Sequence, residues 1–251
     1  MLGYHEMLSM ASERQHRLGI VKFGQQLHRN GFVAATDGNL SVRLDERRLL
    51  VTPTCMSKGS MRPADMVIVD MEGKRLAGRR HVSSEIGMHL LIYRLRPDVR
   101  GIVHAHPPTA TGFAASGFEL SRPLVCEVIV GLGSIPLARY GTPGTTELTE
   151  ALEPLVPSHD AILMANHGVV TFGSSLEDAF MKMETVEHFA RIALVAHVLG
   201  HEQPLGQKEV EKLFAVRDRY NGGGKLRSTK IPVSDGRQSE SEDGVTVNSR
   251  R

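Results

Sequence analysis

The chain has 251 residues, 41% of them hydrophobic, which suits one large domain or two small ones. Lys and Arg number 30 against 28 Asp and Glu, a formal net charge of +2, with no long basic run and no basic–aromatic interleaving, so nucleic acid is not an expected partner. No apolar stretch approaches the ~20 residues of a membrane helix, Met1–Glu6 lacks the layout of a signal peptide, and Cys55 and Cys126 make no disulfide framework. A reducing, cytoplasmic setting is the expectation.

In chain order, residues from about Glu6 to Arg29 read as a helix, with Leu8, Leu18 and Val21 among its apolar positions and Asn30-Gly31 as its stop. Short strand-like runs follow: Gly38–Arg43, Arg48–Thr52 and Met66–Asp70, the last leading into a turn over 71–74. Ser84 to Arg96 reads as a helix ended by Pro97, with Met88, Leu91, Ile92 and Leu95 at helical spacing and a serine cap at Ser84. Val99–His106 reads as a strand, Thr109–Ser116 as a short helix, Val125–Val130 and Ile135–Tyr140 as strands, and Thr145–Leu155 as a helix. Ala161–Thr171 reads as a further strand. A long helix from Ser175 to about Leu199 carries Met181, Val186, Phe189, Ile192, Leu194 and Val195, with Glu177 and Asp178 in its first turn, where the helix dipole favours anions. A last helix covers about Gln207–Tyr220. Asn221–Gly224 breaks it, and the polar tail to Arg251 is expected to be disordered, leaving 1–220 as a single domain. Intermixed strands and helices without strict β-α-β spacing predict a layered α/β sheet with substantial antiparallel pairing.

Three histidines carry the chemistry. His104 and His106 are two apart in a strand-like run, so both point to one face. His167 ends another apolar run and is followed by Gly168, which lets the chain turn close to a metal. Alone, the pair reads equally as one solvated and one hydrogen-bonded histidine. With the third, a catalytic zinc held by three ligands with an open position is the better account. Glu85 opens a helix, where an acid complements the dipole, yet a carboxylate beside a zinc also carries protons; spacing does not separate the two. Ser83 and Ser84 at a helix start suit an anion such as phosphate. His89 shares a helix face with Glu85 and reads as a supporting or surface residue, not a ligand. The segments 36–39 and 52–59 are rich in small polar groups that suit either an ordinary turn or a phosphate cradle, and Lys58 adds a positive charge or is simply solvated.

Six motifs occur in order: Gly38-Asn39-Leu40-Ser41, Thr52-Pro53-Thr54, Ser83-Ser84-Glu85, His104-Ala105-His106-Pro107, Gly144-Thr145-Thr146-Glu147-Leu148 and Asn166-His167-Gly168. As a set they resemble the class II aldolase/adducin family, and most closely its L-fuculose-1-phosphate aldolase branch, over about residues 10–220. The resemblance implies a three-layer α/β/α sandwich with a mixed, largely antiparallel sheet, assembled as a homotetramer with active sites at subunit interfaces. It implies Zn²⁺ on His104, His106 and His167, with Glu85 as the catalytic acid/base, able to sit on the zinc when substrate is absent. Asn39, Thr54, Ser83 and Ser84 match phosphate-binding positions, with Thr36 and Gly38 as weaker matches in the same first loop, and Tyr220 is a weak match to a C-terminal proton donor that reads equally as a helix-end packing residue. The activity implied is cleavage of a ketose 1-phosphate to dihydroxyacetone phosphate and an aldehyde through a metal-stabilised enediolate. The chain departs from the pattern at Cys55, where the family usually has glycine, and at Glu127, where some aldolases have tyrosine. Alternatives are a sugar-phosphate epimerase (whose branch has Asp at the Glu85 position), a decarboxylase or dehydratase, a non-catalytic adducin-like scaffold, and an unrelated zinc hydratase or hydrolase.

Overall fold

A computed structural model describes residues 4–220. Its centre is an eight-stranded sheet in the order β4-β3-β2-β1-β5-β8-β7-β6. The strands are β1 (Asn39–Arg43), β2 (Leu49–Val51), β3 (Val67–Val69), β4 (Arg75–Ala77), β5 (Gly101–Ala105), β6 (Leu137–Ala138), β7 (Ala161–Met164) and β8 (Gly168–Gly173). Every neighbouring pair is antiparallel except β6 and β7.

The central strands are buried on both faces and alternate between two cores. Leu40, Val42, Val103, Leu163 and Val169 face one core, closed by helices α1 (Tyr4–Arg29), α3 (Pro108–Ala115) and α6 (Leu176–Val198). Leu49, Val51, Ile102, Ile162, Val170 and Phe172 face the other, closed by α2 (Ile86–Leu95) and α5 (Thr146–Leu152). The result is the expected three-layer α/β/α arrangement. Two further helices, α4 (Cys126–Gly131) and α7 (Gln207–Tyr220), pack on each other through Ile129 and Val210.

Several local expectations are corrected. Where a strand is expected over 125–130, residues 126–131 form the helix α4. A helical turn sends Val128 into the main core while Ile129 meets α7, so tertiary packing overrides the β preference of a valine-rich run. The run Ala161–Thr171 is two antiparallel strands joined by a tight turn at 165–167, because Asn166 adopts the left-handed conformation (φ 54°). Ser84 does not cap α2. The helix starts one residue later, and the Ser83 hydroxyl accepts from the Glu85 backbone N–H at 3.3 Å. Leu18 on α1 and Met181, Leu194 and Val195 on α6 are exposed, not core. The tail beyond residue 220 lies outside the described residues. No helix among the described residues is long and apolar enough to cross a membrane.

Phe172 is fully buried against the α2/α5 layer. Phe172→Ala is expected to lower unfolding free energy by about 3–5 kcal/mol, read as a shifted denaturant midpoint with an unchanged slope.

Candidate active site

Strand register builds the site. β1 lies beside β5 with Asn39 opposite His104, and β5 lies beside β8 with His104 opposite Val170. His104 is the penultimate residue of β5 and His106 is one past its end, while His167 stands on the β7–β8 turn. The histidines therefore come from a strand, a strand end and a turn, not from two strands. Two glycines permit the crowding. A Cβ on Gly38 (φ +72°) would stand 2.7 Å from the His104 carbonyl oxygen, and one on Gly168 would stand 2.5 Å from the His106 ring.

The imidazole centroids are 4.8, 4.9 and 5.3 Å apart. Among the described residues, His104, His106 and His167 form a group whose donor atoms all lie within 4.8 Å of one another. The His104 Nδ1–H donates to the Val169 carbonyl at 2.9 Å, which fixes its tautomer and leaves the Nε2 lone pair aimed inward. His106 Nε2 stands 3.2 Å from that atom, and its Nδ1 faces Asp37 at 3.6 Å. Ligands on a tetrahedral zinc, at ~2.0–2.1 Å from the ion, are about 3.3 Å apart, so the pair has the spacing of two ligands on one ion.

Glu85, at the start of α2, places Oε1 3.0 Å from His167 Nε2 and Oε2 3.4 Å from His104 Nε2. The shorter approach is not a hydrogen bond: Glu85 Oε1 is buried with no hydrogen-bond partner. A buried carboxylate oxygen without a hydrogen bond, beside three converging imidazoles, fits a shared cation. The donor set of three imidazoles and a carboxylate suits zinc. Burial pushes His104 down to about 3, so the imidazole is neutral, the form that binds metal. Burial opposes ionisation of Glu85, but His104 and His167 in their charged forms, together with the Asn39 amide, favour it, and the carboxyl is held well below the usual range.

The remaining polar residues surround this cluster. Asn39 is buried, and its Nδ2 donates to Glu85 Oε2 at 2.8 Å and lies 3.5 Å from Ser83 Oγ. A bridge between Pro53 and Val82, with the Thr54 N–H on the His81 carbonyl at 3.1 Å, brings Thr54 beside the 81–85 segment. Cys55 is exposed and holds φ 54°, the left-handed geometry that glycine would adopt freely. Lys58 is not solvated. Its ammonium is buried and donates to the carbonyls of Thr36 (2.8 Å) and Met56 (2.7 Å), clasping both polar loops, and burial pushes it down to about 8. Thr36 and Ser84 are exposed at the rim. Glu127 lies in the first turn of α4, exposed. Tyr220 ends α7, and its side chain lies outside the described residues.

Sequence reasoning missed a buried polar chain behind Asn39: His89, Ser41, Tyr93 and Arg43. The signal was available. Asn39, Ser41 and Arg43 alternate with Leu40 and Val42, a polar face on a strand in the middle of a sheet. Glu85, His89 and Tyr93 recur at four-residue spacing.

With this geometry in hand, comparison with known proteins is decisive for the family. The family model for the class II aldolase and adducin N-terminal domain matches residues 19–194, and the chain belongs to that family. The chain is 33% identical over 209 residues to a 5-deoxy-D-ribulose 1-phosphate aldolase of Bacillus thuringiensis serovar kurstaki, covering 82% of this chain and 97% of the relative. It is 32% identical to a 3-oxo-tetronate 4-phosphate decarboxylase of Pectobacterium atrosepticum, covering 82% and 92%. A solved L-fuculose 1-phosphate aldolase superposes with a TM-score of 0.74 at 30% identity, covering 80% of this chain and 94% of that one. The chain thus stands among the enzymes of a metal-dependent aldolase and decarboxylase family.

His89 is fully buried, and its pKa is pushed down to about 4 by desolvation. The unfolded chain takes up that proton below about 6.5 and the native protein only below about 4, so between those values the unfolded state holds more protons. Stability of metal-stripped protein is therefore expected to be fully present above pH ~6.5 and to fall as pH drops toward 4, checked by denaturant midpoints at half-unit pH steps.

Proposed function

We propose that the chain is a zinc-dependent lyase that cleaves a ketose 1-phosphate, L-fuculose 1-phosphate or a related deoxy-ketose phosphate, to dihydroxyacetone phosphate and an aldehyde. The observation that carries this reading is one carboxylate, Glu85, set 3.0 and 3.4 Å from two of three converging imidazoles. His104, His106 and His167 would hold the zinc. When bound, the metal supplies Lewis-acid polarisation of the substrate carbonyl and offsets the negative charge left by bond cleavage.

The rest of the work falls to the chain's own side chains. The substrates named for the two relatives lose a group from a carbon beside a ketone. Each leaves dihydroxyacetone phosphate once that carbon regains a proton. Glu85 reaches the space in front of the imidazoles and is the group that returns it. The amide of Asn39 holds Glu85 through one hydrogen and turns its other toward Ser83, on the side where a phosphate would lie. Thr36, Gly38, Asn39, Thr54, Ser83 and Ser84 are proposed to bind that phosphate through hydroxyls and backbone N–H groups. Tyr220 is proposed as proton donor on the aldehyde side, on the resemblance alone. A homotetramer is proposed as well. Support comes from Leu194, Val195, Val198 and Leu199, four large apolar side chains left exposed together at the end of α6.

A second reading, decarboxylation of a 3-oxo acid phosphate, is favoured by the 32% identity to the decarboxylase. Deuterium incorporation at C3 of dihydroxyacetone phosphate in D₂O tests the step both share, and protein reconstituted with zinc is expected to catalyse it. Condensation with short aldehydes then marks the aldolase, and CO₂ release from 3-oxo-tetronate 4-phosphate marks the decarboxylase.

His106→Ala is expected to lose zinc, by metal analysis, together with deuterium exchange. Glu85→Gln is expected to keep zinc and slow exchange by on the order of 10²-fold or more; exchange at the wild-type rate would refute the role of Glu85.

A further inference from the structure

Behind the reacting carboxylate runs a line of buried side chains from β1 and α2. Glu85 Oε2 accepts from Asn39 Nδ2 at 2.8 Å, and Asn39 Oδ1 stands 2.5 Å from His89 Nε2. His89 Nδ1 stands 2.6 Å from Ser41 Oγ, which lies 2.9 Å from the Tyr93 hydroxyl. The Arg43 guanidinium donates to the Tyr93 carbonyl and stacks over the Tyr93 ring at 4.8 Å. Asn39, Ser41, Arg43, His89 and Tyr93 are all 6% exposed or less.

Elementary donor counting sets the direction of every bond. An ionised carboxylate only accepts, so Asn39 turns its amide nitrogen to Glu85 and its oxygen to His89. That oxygen needs an N–H, so His89 carries its hydrogen on Nε2. A neutral imidazole has one N–H, so Nδ1 accepts from the Ser41 hydroxyl, whose oxygen in turn accepts from Tyr93 O–H. The hydrogen bonds all point one way, from Tyr93 to Glu85. Reversing any one of them would leave two acceptors or two donors face to face in a dry interior.

We propose that His89 is a positioning residue for the reacting carboxylate: as the Nε2–H tautomer it fixes the Asn39 amide, and through it the rotamer of Glu85 in front of the imidazole cluster. This rests on the proposal that Glu85 carries the proton. Among the described residues, the hydrogen-bonded route from His89 to Glu85 runs through Asn39.

Two readouts on zinc-reconstituted, full-length protein test it. In ¹⁵N-histidine-labelled protein, the His89 signals, identified by their loss in His89→Gln, are expected to show the hydrogen on Nε2; a hydrogen on Nδ1 overturns the proposal. In the dihydroxyacetone phosphate exchange assay, His89→Leu is expected to lower the saturated exchange rate about tenfold or more with unchanged zinc content, and His89→Gln, whose amide also donates to Asn39, to recover to within about threefold of wild type. Wild-type exchange in His89→Leu, or no recovery in His89→Gln, defeats the proposal. Should His89→Leu fail to fold, His89→Met, which likewise offers Asn39 no donor, replaces it: exchange slowed about tenfold or more is expected, and full-rate exchange overturns the proposal. Wild-type protein that exchanges nothing would sink the proposed function instead, and the tautomer alone then decides whether the chain of bonds runs as described.

Discussion

The antiparallel register of β1, β5 and β8 is the constraint on which the rest depends. It sets Asn39 opposite His104 and His104 opposite Val170. Side chains on a strand alternate faces, so a slip of one residue would turn His104 into the α1/α6 core and put Val103 where the imidazole belongs. The apolar residues on either side prevent that slip. Ile102 fills the α2/α5 core, while Val103 and Ala105 fill the other. The polar cluster is thus located by hydrophobic burial, the non-directional term, while its orientation is set by hydrogen bonds such as the one from His104 to the Val169 carbonyl.

Polar groups in so dry a place are costly unless each is matched. The solution differs on the two sides of Glu85. Toward the imidazoles, Glu85 Oε1 is buried without a hydrogen-bond partner, 3.0 Å from His167 Nε2. Toward α2, each side chain from Asn39 to Tyr93 has a hydrogen-bond partner. The satisfied side fixes how the unsatisfied side is presented.

Much of this was legible from the residues. Histidines at the ends of apolar runs stand out because burying them needs a reason, and a layered α/β sheet with antiparallel pairing follows from intermixed strands and helices, while the three-layer arrangement is what the family resemblance implies. What sequence patterns hid had specific causes. The 125–130 segment has strand-like composition, yet its neighbours demand a helical turn to bury Val128 and Ile129 on different partners. The β7–β8 turn was invisible because Asn166, and not glycine, adopts the positive φ. The apolar positions of α6 were overread: Met181 and Val195 match helical spacing but face outward. The polar face of β1 was readable in principle, since Asn39, Ser41 and Arg43 share one side of a central strand, but its meaning needed α2 placed across it.

The clasp made by Lys58 has a bearing on how such a chain can vary. One ammonium grips the backbone of two separate surface loops, at Thr36 and Met56. The lysine ties the two loops to each other, so an insertion or deletion in one shifts its grip on the counterpart. A graft of either loop alone from a relative would therefore carry over its residues without the other half of the lysine's grip.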